Sequence, residues 1–201
     1  MSDQTAKPTL SIKPKKPETD SSHDLIVSKS IPLTTRSGFE FHVRPVASAD
    51  KEALAEFFRH VTRDDLRFRF LSPIPEVGDE MLSYLVDVDH DHKEDFLAFD
   101  IDDKTIVASA MIGANEDKSV AEVAIVVHAD YKHRGMSWTF LEYVANEARR
   151  SGIKKLQSIE SRENHAAIEL EREMGFTAKS YPGDATLMLL EFDLSAAAPT
   201  E

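Results

Sequence analysis

The chain of 201 residues has no cysteine, one tryptophan, seven glycines, and 24 lysines and arginines set against 36 aspartates and glutamates. Lack of cysteine excludes disulfides, thiolate metal sites and a cysteine nucleophile. No apolar run approaches the roughly 18 to 20 residues that span a bilayer, and the first residues lack the apolar core of a secretory signal, so no membrane association and a cytoplasmic location are expected. The net charge of −12 argues against nucleic-acid binding, which draws most of its free energy from neutralising phosphates. A cationic partner is favoured instead. The 41% hydrophobic and 30% charged content is that of an ordinary globular protein, long enough for one domain with a sizeable core.

Residues 1–31 are polar, carry Pro8, Pro14 and Pro17, and show neither helical nor strand periodicity, so they are expected to be a flexible tail. From Ile31 the text changes. Residues 31–35 and 39–43 alternate about Arg36-Ser37-Gly38, a hairpin signature. Ser48 is placed to cap a helix over residues 49–61 with Leu54, Phe57, Phe58 and Val61 on its apolar face. Two shorter helices are expected, one from Thr62 or Asp64 through Phe70 and one over 77–87. A three-strand meander follows over 95–101, 105–114 and 119–128. A long helix ends at Gly152. The strand over 154–160 is reached through that helix, which predicts parallel pairing with 119–128. A helix from Asn164 to Met174 and strands near 176–181 and 185–194 close a domain spanning 32–194, and residues 195–201 form a short tail.

The richest local pattern is the passage from the strand Val123-Ala-Ile-Val-Val127 through His128 and Lys132-His133-Arg134-Gly135 into the helix opened by Met136-Ser137-Trp138. A helix start offers unpaired N–H groups and partial positive charge, and Lys132 and Arg134 add full charges in the lead-in loop. Gly135 removes a Cβ where backbone and phosphate must approach, and the small Ser137 keeps the first turn open. A pyrophosphate fits such a cradle. His133 is placed to touch it, and Trp138 to pack in the first turn or near an adenine.

Lys132-x-x-Gly135-x-Ser137 resembles the Arg/Gln-x-x-Gly-x-Gly/Ala signature of the GNAT superfamily of N-acetyltransferases, with lysine and serine as departures that keep charge and small size. Asn164-x-x-Ala167-x-x-Leu170-x-x-x-Met174-Gly175-Phe176 is similar to a second element of that family. The order of elements over 37–194 agrees. The resemblance implies an α/β (α+β) GNAT fold, a single mixed six- to seven-stranded central sheet flanked by helices, with acetyl-CoA as cosubstrate and no metal. Within the superfamily, Arg36-Ser-Gly-Phe-Glu-Phe-His-Val-Arg44-Pro45, Phe57-Phe58, Arg67-Phe-Arg-Phe70, Asp89-His90 and Ala121-Glu122-Val-Ala-Ile-Val127 look like the acetyltransferase domain of bacterial Pat-type protein-lysine acetyltransferases. That likeness implies a protein lysine as the amine acceptor, a polyamine or amino acid being the alternative. A noncatalytic acyl-CoA sensor on the same fold is the competing class.

Acyl transfer to an amine needs the neutral amine, and a lysine of pKa near 10.4 is only about one part in two thousand neutral at pH 7. The deficit is roughly 4 to 5 kcal/mol of barrier unless a base removes the proton. Glu122, on an apolar strand and on the face it shares with Ala124 and Val126, is the candidate base, as the subgroup resemblance also implies. The family implies an oxyanion donor at about the N–H of Val127, strand-like pairing of Val126 and Val127 with the pantetheine amides, and a contact from Asn164 to that arm. The usual tyrosine general acid is replaced by Glu171. The run from Asp87 to Asp95, with His90 and His92 among carboxylates, lacks metal-ligand spacing and is read as a solvated acidic loop.

Overall fold

The computed structural model describes residues 30–195, so the expected tails at 1–31 and 195–201 lie almost entirely outside the described residues. Strands β1 (Ile31–Thr34) and β2 (Glu40–Pro45) make the expected hairpin, closed by Thr35 N–H donating to the Phe39 carbonyl at 2.8 Å. A 3-10 turn at Ser48–Asp50 leads into α1 (Lys51–Arg59). The acceptor at this helix start is Asp50 rather than Ser48: its carboxylate takes the Ala47 N–H at 2.7 Å and pairs with Arg44 through two 2.7 Å bonds, tying β2 to α1. Next come α2 (Arg63–Phe70), whose N-cap Thr62 accepts from the Asp65 N–H, and α3 (Asp79–Val86).

The meander consists of β3 (Lys93–Phe99), β4 (Ile106–Ala114) and β5 (Val120–Val127). It is followed by α4 (Met136–Arg150), β6 (Lys155–Ser161), α5 (His165–Glu173), β7 (Thr177–Ser180) and β8 (Leu187–Asp193). All eight strands belong to one sheet in the order β1-β2-β3-β4-β5-β6-β8-β7. The expectation was six or seven, and the difference lies at the rims, where β1 and β7 are four-residue edge strands. Every neighbouring pair is antiparallel except β5 and β6, which α4 joins as a crossover.

Side-chain alternation sends the two faces of the sheet to two apolar clusters. On one face α4 lays Phe140, Leu141, Val144 and Ala148, spaced three and four apart, against Val107, Ala121, Val123, Leu156 and Leu190. Burying a side chain such as Phe140, which is fully enclosed, contributes about 2 to 3 kcal/mol. On the other face Leu54, Phe57 and Phe58 of α1, Leu66 of α2 and Leu82 and Leu85 of α3 cover Leu97, Phe99, Met111 and Val126. Residues 122, 124 and 126 of β5 therefore look toward α1–α3, and 123 and 127 toward α4. Among the described residues no helix is long and apolar enough to cross a membrane.

Candidate active site

The pairing of β5 with β6 lasts for only three registers, Val120 with Lys155 to Glu122 with Gln157. Beyond Glu122 the two strands part and leave a notch in the middle of the sheet. The β4 register, with His128 N–H bonded to the Val107 carbonyl at 2.9 Å and Val126 opposite Ser109, fixes which backbone groups face it. Alternate residues of an antiparallel ladder bond to opposite sides. Val126 is thus committed to β4, whereas Ile125 and Val127, beyond the last register with β6, turn their N–H and C=O groups into the notch. The expected oxyanion donor, Val127, points there; Val126 lines the space with its side chain, and its polar backbone is taken.

A cavity of about 430 Å³ occupies the notch, and it is lined by Glu122, Val126, Val127, Lys132, His133, Gly135, Met136, Ser137, Trp138 and Asn164. Ten of the eleven residues expected at the site from the sequence therefore meet in one space. The eleventh, Arg134, folds back: its guanidinium lies 4.8 Å from the Tyr131 ring and 5.1 Å from Phe39, and Nη2 donates to the Asp130 carbonyl at 3.1 Å. Lys132 reaches the cavity with its ammonium already paired to Asp65 of α2. Met136 is buried in the core, so at the cradle it offers backbone alone.

Gly135 is the N-cap of α4 with φ +77°, a left-handed conformation that a side chain strains. A Cβ there would sit 3.5 Å from the Cβ of Thr35, in the hairpin turn between β1 and β2. The same turn braces the loop through Ser37, whose hydroxyl donates to the Arg134 carbonyl at 2.7 Å. Arg36 lays its guanidinium 4.6 Å over the Trp138 ring. A hairpin about a hundred residues away in sequence thus forms one wall of the cradle.

The other end of the cavity is carboxylate-rich. Glu122 stands where the strands part, and burial pushes its carboxyl up while the Arg69 cation draws it down. Glu160, on β6, is pushed up to about 8 by burial and the charge of Glu171. Its Oε2 accepts from Asn164 Nδ2 at 2.7 Å, so Asn164 both caps α5 through the Ala167 N–H and orients Glu160. Glu171 is buried, bonded to the Ser158 hydroxyl, and pushed up to about 7 by burial. A carboxyl of raised pKa takes or gives a proton near neutral pH, the ability an amine acylation requires.

Sequence reasoning missed Asp65, Arg69 and Glu160. Arg69 follows Leu66 by one helical turn on α2, and its Nε and Nη2 are buried without a hydrogen-bond partner. The one signal in the text was the density of arginine between phenylalanines in Arg67-Phe-Arg-Phe70. His128 is withdrawn into a stack with His60 at 4.7 Å, and burial lowers its pKa. The run expected to be a solvated acidic loop is only partly one: residues 93–95 belong to β3 with Lys93 and Asp95 buried, and the loop before them is organised by Asp89, whose Oδ1 accepts from the N–H groups of Asp91, His92 and Lys93 at 2.8 to 2.9 Å. Among the described residues no three histidines or carboxylates gather to hold a metal.

A profile of the acetyltransferase (GNAT) family matches residues 56–176. Acetyltransferase PA5475 of Pseudomonas aeruginosa is 26% identical over 149 residues, 73% of this chain and 80% of that protein. Of solved structures, the GNAT domain of S. lividans PAT superposes with a TM-score of 0.76 at 24% identity, over 82% of this chain and 96% of that one. The Salmonella typhimurium protein yncA, solved with acetyl-CoA, gives 0.62 at 20% identity over 80% and 98%. With the profile spanning more than half its length and the strand-parted sheet beneath it, the chain belongs to the acetyltransferase (GNAT) family and is an acyltransferase that uses acetyl-CoA.

Proposed function

We propose that the chain passes acetyl from acetyl-CoA directly to a primary amine, with Glu122 as the base and a protein lysine as the acceptor. The observation that carries the reading is that Glu122 lies at the fork of β5 and β6, in the same cavity as the start of α4. Gly135, Met136, Ser137 and Trp138 present the helix start to the diphosphate, with Lys132 and His133 beside it. The pantetheine arm enters the notch as an added strand against the free backbone edge of β5, and the N–H of Val127 faces the acetyl oxygen on which negative charge develops. Asn164 borders the same arm from the opposite side.

One proton of the ammonium passes to the Glu122 carboxylate, the free amine attacks the thioester carbon, the C–S bond breaks to release CoA thiolate, and the second nitrogen proton leaves to water, giving the neutral amide. Burial raises the proton affinity of Glu122 toward the working pH, which suits a base that must be ionised at rest and protonated in passing. A lysine acceptor is supported by the sequence likeness to Pat-type domains and by the acidic surface, which favours a cationic partner.

The test is acetyl-CoA consumption with a lysate and a panel of small amines, newly acetylated sites being mapped by mass spectrometry. Wild type is expected to modify protein lysines, and Glu122→Gln to lose about 10² to 10⁴ of that rate. Acetylated small amines without acetylated proteins would replace the acceptor; full turnover by Glu122→Gln across pH 6 to 9 would remove the base.

A further inference from the structure

Arg69 has no part in the chemistry above, yet it is the cation placed deepest beside it. It lines the cavity with Glu122, on the side where α2 packs over β5. Its Nε and Nη2 are enclosed and bonded to nothing, an arrangement that costs free energy unless charges of opposite sign surround it. Carboxylates act on it through space, none of them bonded to its Nε or Nη2. Asp95 of β3 is fully buried and otherwise held only by Ser109, at 3.0 and 3.3 Å. Glu122 of β5 and Glu160 of β6 complete the set.

We propose that Arg69 is a positioning residue for acyl transfer: its enclosed guanidinium, on the wall of the same cavity, is the fixed cation that keeps the Glu122 carboxylate ionised for the reacting amine. This rests on the reading of Glu122 as the base. The other charged and titratable groups around Glu122 do not substitute for it. Lys93, next but one across the sheet through Gly113, spends its ammonium on the carbonyls of Tyr84 and Asp87. Lys132, in the loop before α4, is held by Asp65 of α2. His133, from the same loop, lies at the phosphate end of the cavity with Gly135 and Ser137. Tyr84 of α3, Asp95 of β3, Glu160 of β6 and Glu171 of α5 carry no positive charge, and burial itself opposes ionisation of Glu122. Without Arg69 that opposition is uncompensated and the carboxyl stays protonated to higher pH, and a protonated carboxyl accepts nothing from an ammonium. A guanidinium suits the task because it stays charged when enclosed, whereas a buried lysine readily gives up its proton.

The experiment follows the ¹³C signal of the Glu122 side-chain carboxyl through a pH titration of the full chain, the signal being assigned by its loss in Glu122→Gln. In Arg69→Gln the midpoint is expected to rise by about one pH unit. Because that variant strands Asp95 without its cation, the double variant Arg69→Gln with Asp95→Asn is titrated in parallel and is expected to show the same rise. The acid limb of kcat/KM for acetyl-CoA, with a mixed lysine-peptide library as acceptor, is expected to move with it while the plateau at high pH is kept. A Glu122 midpoint unmoved in both variants overturns the role of Arg69 and leaves the base assignment intact. A midpoint that moves while the acid limb stays removes Glu122 as the base, and the positioning role with it.

Discussion

The ammonium of Lys132 is ion-paired with the carboxylate of Asp65, so the cation that opens the phosphate signature is tied to a helix 67 residues earlier in the chain. Both groups border the cavity. Asp65 holds Lys132 in place before CoA arrives, and it also sets a negative charge near the seat proposed for the diphosphate. Removing it frees the lysine and relieves repulsion. Asp65→Asn is expected to tighten CoA binding about two- to fivefold, the 0.5 to 1 kcal/mol usual for a part-exposed pair, whereas Lys132→Gln weakens it. Calorimetric titration reads both; equal affinity in all three proteins would mean that neither side chain meets the phosphates.

Gly135 makes a stability prediction that stands apart from catalysis. Its φ of +77° costs a residue with a Cβ about 1 to 2 kcal/mol, and the neighbouring Thr35 at 3.5 Å is in ordinary contact and adds little. Gly135→Ala should therefore unfold at lower urea by that amount, with an unchanged dependence on denaturant. A variant as stable as wild type would mean that the loop relaxes to another conformation.

The strand-to-helix cradle was legible because it is local. A hydrophobic strand, a basic loop, a glycine and an amphipathic helix follow one another within thirty residues, and the structure keeps all of them. The alternation on β5 likewise placed Glu122 on the face it occupies. What was not legible is long-range. Arg69, Glu122 and Glu160 come from three separate segments and meet only because β5 and β6 part after Glu122, and no periodicity in the text marks where a strand pair stops. The same holds for Asp65, an unremarked helical carboxylate until Lys132 is folded against it.

The buried carboxyls also predict how stability varies with pH. Asp95 and Glu171 are pushed up to about 7 and Glu160 to about 8, well above the roughly 4 of an unfolded chain. Between those limits the folded protein binds more protons than the unfolded one. Their contribution is fully present below about pH 4 and is lost as pH rises through 7 to 8. His128, whose pKa is lowered by burial, works in the opposite sense, its contribution growing as pH rises to the ordinary imidazole range. Comparison with Glu160→Gln cancels that term: wild type should lose on the order of 2 kcal/mol more than the variant between pH 5.5 and 8.5. Denaturant titrations across that range check it, and parallel curves would mean that Glu160 stays ionised in the fold.

The central claim is that the start of α4 and the parted strands together seat acetyl-CoA beside Glu122. Calorimetric titration of acetyl-CoA into wild type, Glu122→Gln and Gly135→Glu tests it most directly. Single-site binding is predicted for the first two, and none for Gly135→Glu, where a carboxylate and its bulk enter the phosphate seat. Undiminished binding by Gly135→Glu, or no binding by wild type, would contradict the account.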